Sequence, residues 1–256
     1  MTRFFAKAVD ISSGLIMLSA EDTAHMRSLR LRPTELFVVC DGKRSDYVCR
    51  LAQRDGGTVA EIVETRPSLG EPTIECSVYV AFAKGDRLDF AVQKSVELGA
   101  HRIVLFPSER CVSVPSDMTK KTARLQRIAL ETAKQCGRGR VPGVAAIRSF
   151  EAAVKRAAGA GLPLFLYEEE EELRLKQALE QWTPSNGCES PVDGEGKEAG
   201  NTVSVMAGPE GGFEPSEAES AKTAGMVAVS LGPRILRCET APVAALAAIM
   251  FHTGNI

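Results

Sequence analysis

Apolar residues follow two different rhythms along this chain, and the change falls near residue 72. Before it they come in short alternating or β-branched runs: Phe4 to Val9, Leu15 to Leu18, Leu36 to Cys40, Tyr47 to Leu51 and Thr58 to Val63. Turn signals such as Asp41-Gly42 and Asp55-Gly56-Gly57 part them. Only Ala20 to Leu31 reads as helix. Residues 1–73 are therefore expected to form a small β-rich domain.

Beyond the change, strands alternate with amphipathic helices. Ile74 to Ala83 reads as a strand, followed by a helix from Arg87 to Leu98 with apolar residues at 88, 91, 92, 96 and 98. Arg102 to Phe106 is the next strand. The helix after it, Met118 to Cys136, keeps Leu125, Ile128, Ala129, Thr132, Ala133 and Cys136 on one face. Phe150 to Ala160 and Glu168 to Trp182 predict further helices around a strand from Leu162 to Tyr167. The acidic run Glu168 to Glu172 would then sit at a helix start as a solvated face, where negative charge is favoured. Such alternation defines an α/β domain, residues 74–256, with a parallel sheet and helices on both sides. Within it, 183–201 is rich in Gly, Pro, Ser and acidic residues and is expected to be a flexible loop.

The last fifty residues repeat one plan. Val203 to Ala207 predicts a buried strand that ends in GPEGGF, Gly208 to Phe213. A helix follows, with Glu214 at the N-cap, Pro215 in the first position and Glu217 three residues on from the cap. Met226 to Leu231 predicts a second strand, ending in LGPRILRCET, before a helix from about Thr240 with Pro242 early in it. Both loops thus open at the edge of a parallel sheet where ligands bind. Their glycines expose backbone, yet neither GxxxxGK[ST] nor a strand-to-helix GxGxxG is present, which excludes a phosphate cradle.

Composition narrows the field further. The 256 residues are 44% hydrophobic, but no apolar run is long enough to span a bilayer and the N-terminus lacks the apolar core of a signal peptide. A cytoplasmic protein without a membrane partner is expected. Seven cysteines without a CxxC and three scattered histidines suggest neither a metal site nor a disulfide framework. The net charge of −2 hides a polarity: Lys84 to Arg148 holds 13 basic and 6 acidic residues, and Glu151 to Gly200 holds 5 and 11. A basic middle in a slightly acidic chain points to local contact with a polyanion.

At this point a resemblance becomes specific. GPEGG and LGPRILRxET, with KGDRLDFAVQKSVELG (84–99), SERC (108–111), KQCGRGRVP (134–142), the opening Arg3-Phe4-Phe5 and HMRSLRLRP (25–33), are similar in kind and order to the motifs of the RsmE family. These are 16S rRNA uracil-N3 methyltransferases of the SPOUT class. Against the family pattern, Ser28 replaces an apolar residue, Pro33-Thr34-Glu35 a glycine-containing turn, Cys238 a threonine and Pro242 an alanine.

The resemblance implies a SPOUT-type parallel sheet with a C-terminal trefoil knot, plus a small N-terminal PUA-like β-barrel domain. It further implies S-adenosyl-L-methionine as methyl donor, 16S rRNA of the small subunit as partner and a homodimer. On it, Gly208, Pro209, Glu210, Gly211, Gly212, Leu231, Gly232, Ile235, Leu236 and Arg237 would bind the donor. Arg138, Arg234 and Glu210 are the catalytic candidates, and Arg3, Arg27, Arg30 and Arg140 the RNA-binding ones. Glu210 and Glu239 are each either a proton acceptor or a structural partner. Val243, Leu246, Ile249 and Met250 in the last helix are either a dimer contact or core. The alternatives are a SPOUT enzyme acting elsewhere on rRNA or on tRNA, and a non-catalytic ribosome-binding factor that keeps the fold.

Overall fold

The computed structural model describes residues 1–6, 13–42, 45–54, 57–184 and 200–256. Most of the 183–201 loop therefore lies outside the described residues, as does the second half of the first expected strand. The chain separates into two compact units, 1–71 with 130–141, and 72–129 with 142–256.

The first unit holds β1 (Arg3–Phe5), β2 (Leu15–Met17), α1 (Ala20–Ser28), β3 (Phe37–Cys40), β4 (Ser45–Arg54) and β5 (Gly57–Pro67). Its sheet runs β1-β3-β4-β5-β2, with β1 parallel to β3 and the remaining pairs antiparallel. Alternation along each strand sends Phe4, Ile16, Phe37, Val39, Tyr47, Cys49 and Ala60 into one core, closed by Met26 from α1. Ser19 caps α1 by accepting the Asp22 N–H.

Expected among the RNA-facing cations, Arg3 turns inward instead. Its guanidinium donates to both oxygens of the buried Asp46, at 2.7 and 2.8 Å, and to Cys40 Sγ. The reason is register. Arg3 pairs with Val38 in the β1–β3 ladder, beside the strand ends that carry Cys40 and Asp46. Burial alone would raise the Asp46 carboxyl; the hydrogen bonds from Arg3 and Cys40 outweigh it and hold the group below its ordinary value.

The second unit is a six-stranded, wholly parallel sheet of β6 (Glu75–Ala81), β7 (Arg102–Phe106), β8 (Gly143–Ala146), β9 (Leu162–Leu166), β10 (Thr202–Ala207) and β11 (Val227–Val229). The helices are α2 (Arg87–Glu97), α3 (Met118–Cys136), α4 (Phe150–Ala157), α5 (Leu175–Gln181), α6 (Pro215–Thr223) and α7 (Ala241–His252). The last turns of α3 belong to the first unit. Helices α2, α5 and α7 pack together, as do α4 and α6, so both faces of the sheet are covered. Side chains alternate accordingly. Tyr79, Val104, Phe165 and Met206 join the core under α4 and α6.

Strand order is β11-β9-β10-β6-β7-β8. From β6 the chain moves outward through β7 to β8, then crosses to β9, and β10 slots between β9 and β6. The order reverses there, which is the position where open α/β sheets bind ligands.

The structure adds one strand, moves one helix start and decides one alternative. Strand β8 carries no strong alternation and adds to the strands that the sequence pattern predicts. The helix expected from Glu168 begins only at Leu175, and Glu168 to Leu173 form turns instead. Glu170 accepts from the Glu172 and Leu173 N–H groups, an arrangement of bends that competes with a helical turn. Finally, Leu246, Ile249 and Met250 of α7 are buried within the chain, where α7 packs on β10 and β6, so they are core residues.

Replacing Arg3 by Met leaves Asp46 buried without its cation. At neutral pH this is expected to cost about 3–5 kcal/mol. A lowered carboxyl stabilises the fold above its unfolded value and loses that contribution as pH falls through the folded one. Denaturant titrations should therefore show the gap between wild type and Arg3→Met closing in acid.

Candidate functional site

A cavity of about 630 Å³ opens at the carboxyl ends of β9, β10 and β11. Three walls build it: Leu166-Tyr167-Glu168 after β9, Ala207 to Gly212 after β10, and Val229 to Ala241 after β11, with Arg87 reaching in from α2. All ten residues assigned to donor binding from the sequence, Glu210 among them, line this one cavity, and so does Arg234.

The first loop is held from below. Phe213 is fully buried and packs on Phe165 with ring centroids 4.3 Å apart, with Phe106 and Phe150 beside it. Gly208 lies directly over that ring, where a Cβ would come within 3.0 Å of it. The Gly212 N–H closes a turn onto the Pro209 carbonyl at 3.1 Å, and Gly212 itself takes φ +70°. The motif at 108–111 braces the same loop. Glu217 accepts from Ser108 Oγ and from the Glu109 and Glu214 N–H groups at 2.9–3.0 Å. Arg110 grips both Glu214 oxygens and the Gly211 carbonyl.

In the second loop Gly232 takes φ +106°, and the Arg237 carbonyl accepts from the Thr240 and Ala241 N–H groups, which leads the chain into α7. Ile235 stands 80% exposed at the cavity rim. An apolar side chain so placed is available to a flat ligand. Cys238 is buried behind the loop, and its thiol donates to Glu239 Oε2 at 3.2 Å. Burial, with the Glu239 hydrogen bond and charge, pushes that thiol up to about 12, so it stays protonated.

Arg87 joins the two loops. Its Nη1 donates to Glu210 Oε1 at 2.7 Å and its Nε lies 3.6 Å from Glu239 Oε2. Glu210 also accepts the Lys84 N–H at 2.9 Å. Burial alone would raise the Glu210 carboxyl; the backbone N–H groups and Arg87 outweigh it and hold the group below its ordinary range. A carboxylate so stabilised is a poor proton acceptor.

Arg138 lies elsewhere. It belongs to the first unit, is 3% exposed and donates through Nε and Nη2 to Glu71, which also accepts the Gly139 and Arg140 N–H groups. Arg27 and Arg30 are exposed at the end of α1 and just beyond it. Arg87, Tyr167 and Glu168 also line the site, though the sequence does not mark them. KGDR is a motif without an assigned role, and Glu168 is hidden in a run that reads as solvated helix. Among the described residues no cluster could hold a metal ion, and no helix is long and apolar enough to cross a membrane.

An open parallel sheet with two glycine-rich loops at its reversal defines a ligand-binding α/β enzyme core. The family model for the RNA methyltransferase domain matches residues 70–250, and the chain belongs to that class of RNA methyltransferases. Ribosomal RNA small subunit methyltransferase E of Synechocystis is 32% identical, covering 87% of this chain and 68% of that protein. The protein of the same name from Bacillus subtilis is 29% identical, covering 92% and 90%. The crystal structure of the Neisseria gonorrhoeae methyltransferase E, bound to S-adenosyl methionine, superimposes with a TM-score of 0.77 at 31% identity and covers 98% of this chain and 97% of its own. Within the class, the chain is a member of the ribosomal RNA small subunit methyltransferase E family.

At Gly212 a Cβ would fall 1.5 Å from Glu168 Oε1, at a φ that L-residues rarely adopt. Gly212→Ala is expected to cost about 1–3 kcal/mol in urea denaturation, from backbone strain and from displacement of the Glu168 carboxylate.

Proposed function

We propose that this protein transfers a methyl group from S-adenosylmethionine to N3 of a uridine in the 16S rRNA of the small ribosomal subunit. The observation that carries the reading is the convergence, on one cavity at the strand-order reversal, of every residue the family resemblance assigns to the donor. The cavity suits that donor in size and kind. It offers the backbone of four glycines, an apolar rim at Leu231, Ile235 and Leu236, and the carboxylates Glu168 and Glu210 to complement a cation. When bound, the donor supplies an electrophilic methyl carbon on a positively charged sulfur.

The chain's own residues supply the rest. N3 lies on the Watson–Crick edge of uracil, so the base must leave its stack to reach the cavity. Arg234, which lines the cavity and is exposed on the second loop, would neutralise the negative charge that develops on the uracil oxygens as N3 reacts. Arg138, committed to Glu71, shapes the turn that carries Arg140, and Arg27, Arg30 and Arg140 are proposed to meet rRNA phosphates.

The reading includes a PUA-like barrel for the N-terminal domain, 1–73, and a SPOUT domain, 74–256, with its C-terminal segment threaded as a trefoil knot. It also includes a homodimer acting in the cytoplasm. With Leu246, Ile249 and Met250 taken up by the core, exposed Phe251 is the large apolar side chain α7 leaves for a second copy.

The test is in vitro methylation of small subunits from a strain lacking this gene, with nucleosides read by mass spectrometry. Wild type should yield N3-methyluridine and Gly211→Trp none. Arg234→Ala should slow the reaction on the order of 10²-fold. Methylation at another nucleoside, or donor binding without transfer, would replace this reading with one of its alternatives.

A further inference from the structure

Three carboxylates line the cavity, and two have other work. Glu210 is held by the Lys84 N–H at 2.9 Å and by Arg87 at 2.7 Å. Glu168 turns toward the first loop, where its Oε1 accepts the Phe213 N–H at 3.2 Å and fills the space beside Gly212. That position faces the backbone expected to hold the donor. Glu239 differs from both. It lines the cavity with its side chain 15% exposed, Arg87 Nε lies 3.6 Å away, and its Oε2 accepts a hydrogen bond from the Cys238 thiol.

We propose that Glu239 is the general base that takes the N3 proton of the target uridine, an assignment that rests on the N3-uridine reading above. An S–H group is a weak donor, and as the partner of Glu239 Oε2 it orients the carboxylate that lines the cavity. Around it stand Arg87 from α2, Glu210 from the first loop, and Cys238, Arg234 and Arg237 on its own loop. The Cys238 thiol keeps its proton across the working range, so it does not compete for the one from uridine.

The step balances simply. A Glu239 oxygen accepts the N3 proton as the N3 electron pair forms its bond to the methyl carbon. The carbon–sulfur bond breaks with its electrons remaining on sulfur, which becomes neutral. Protonated Glu239 then releases its proton to water. A carboxylate suffices as base because N3–H becomes far more acidic as the new bond forms, so proton transfer late in the step runs downhill.

The experiment compares wild type, Glu239→Gln, Glu239→Asp and Glu168→Gln. Single-turnover methylation of unmodified small subunits is measured from neutral to alkaline pH, alongside calorimetric affinity for S-adenosylmethionine. At neutral pH Glu239→Gln should be slower by about 10²–10⁴-fold, with donor affinity retained and Glu239→Asp restoring part of the rate. Its defect should shrink in alkali, where N3 ionises without help. A full neutral rate for Glu239→Gln would overturn the proposal, as would a defect equal at every pH with donor affinity lost, the mark of a structural role. The pH-dependent defect appearing in Glu168→Gln instead would move the base to Glu168. If wild type forms no N3-methyluridine, the substrate reading fails and the base with it, a failure told apart by the inactivity of wild type.

Discussion

Much of the second unit is arranged around one buried ring. Phe213 lies beneath the first loop, in contact with aromatic residues of β7, β9 and α4, and Gly208 passes so close above it that no side chain fits between. A loop built of three glycines in five residues cannot hold its shape through side-chain packing of its own. It takes its shape from the ring below and from the Glu217 and Arg110 brackets beside it. Preorganised backbone of this kind is what lets a pocket recognise a ligand without first ordering itself.

Charge in the cavity is shared out as strictly as space. Arg87 ties a carboxylate of one loop close and stands near a carboxylate of the other, so two segments separated by the whole of α6 and β11 are coupled through one guanidinium. Glu210 is held below its ordinary range by the Lys84 N–H and Arg87, so its prominence in the GPEGG motif reflects its part in building the loop.

The first unit shows the same economy. Arg3 opens a motif that resembles an RNA-contacting segment, yet its charge is spent on Asp46 inside the sheet. Arg138, the most conspicuous cation of the glycine-rich turn, is likewise buried on Glu71. The basic residues of this unit therefore divide into those that hold the fold and those that face outward, as Arg27 and Arg30 do.

Local sequence alone determined the strands and helices with strong periodicity, such as β7 and α3, and the capping of α6 by Glu214 and Glu217. It also determined that two Gly-Pro loops leave parallel strands at one edge, because turn chemistry and period act within a few residues. Tertiary structure alone decided the strand order, the late start of α5, the role of β8 and the pairing of Arg3, Arg87 and Arg138. Those outcomes turn on partners far apart in sequence, as Arg87 and Glu239 are. A charge reads the same in sequence whether it meets solvent, substrate or a buried carboxylate, and only the packed chain chooses among them.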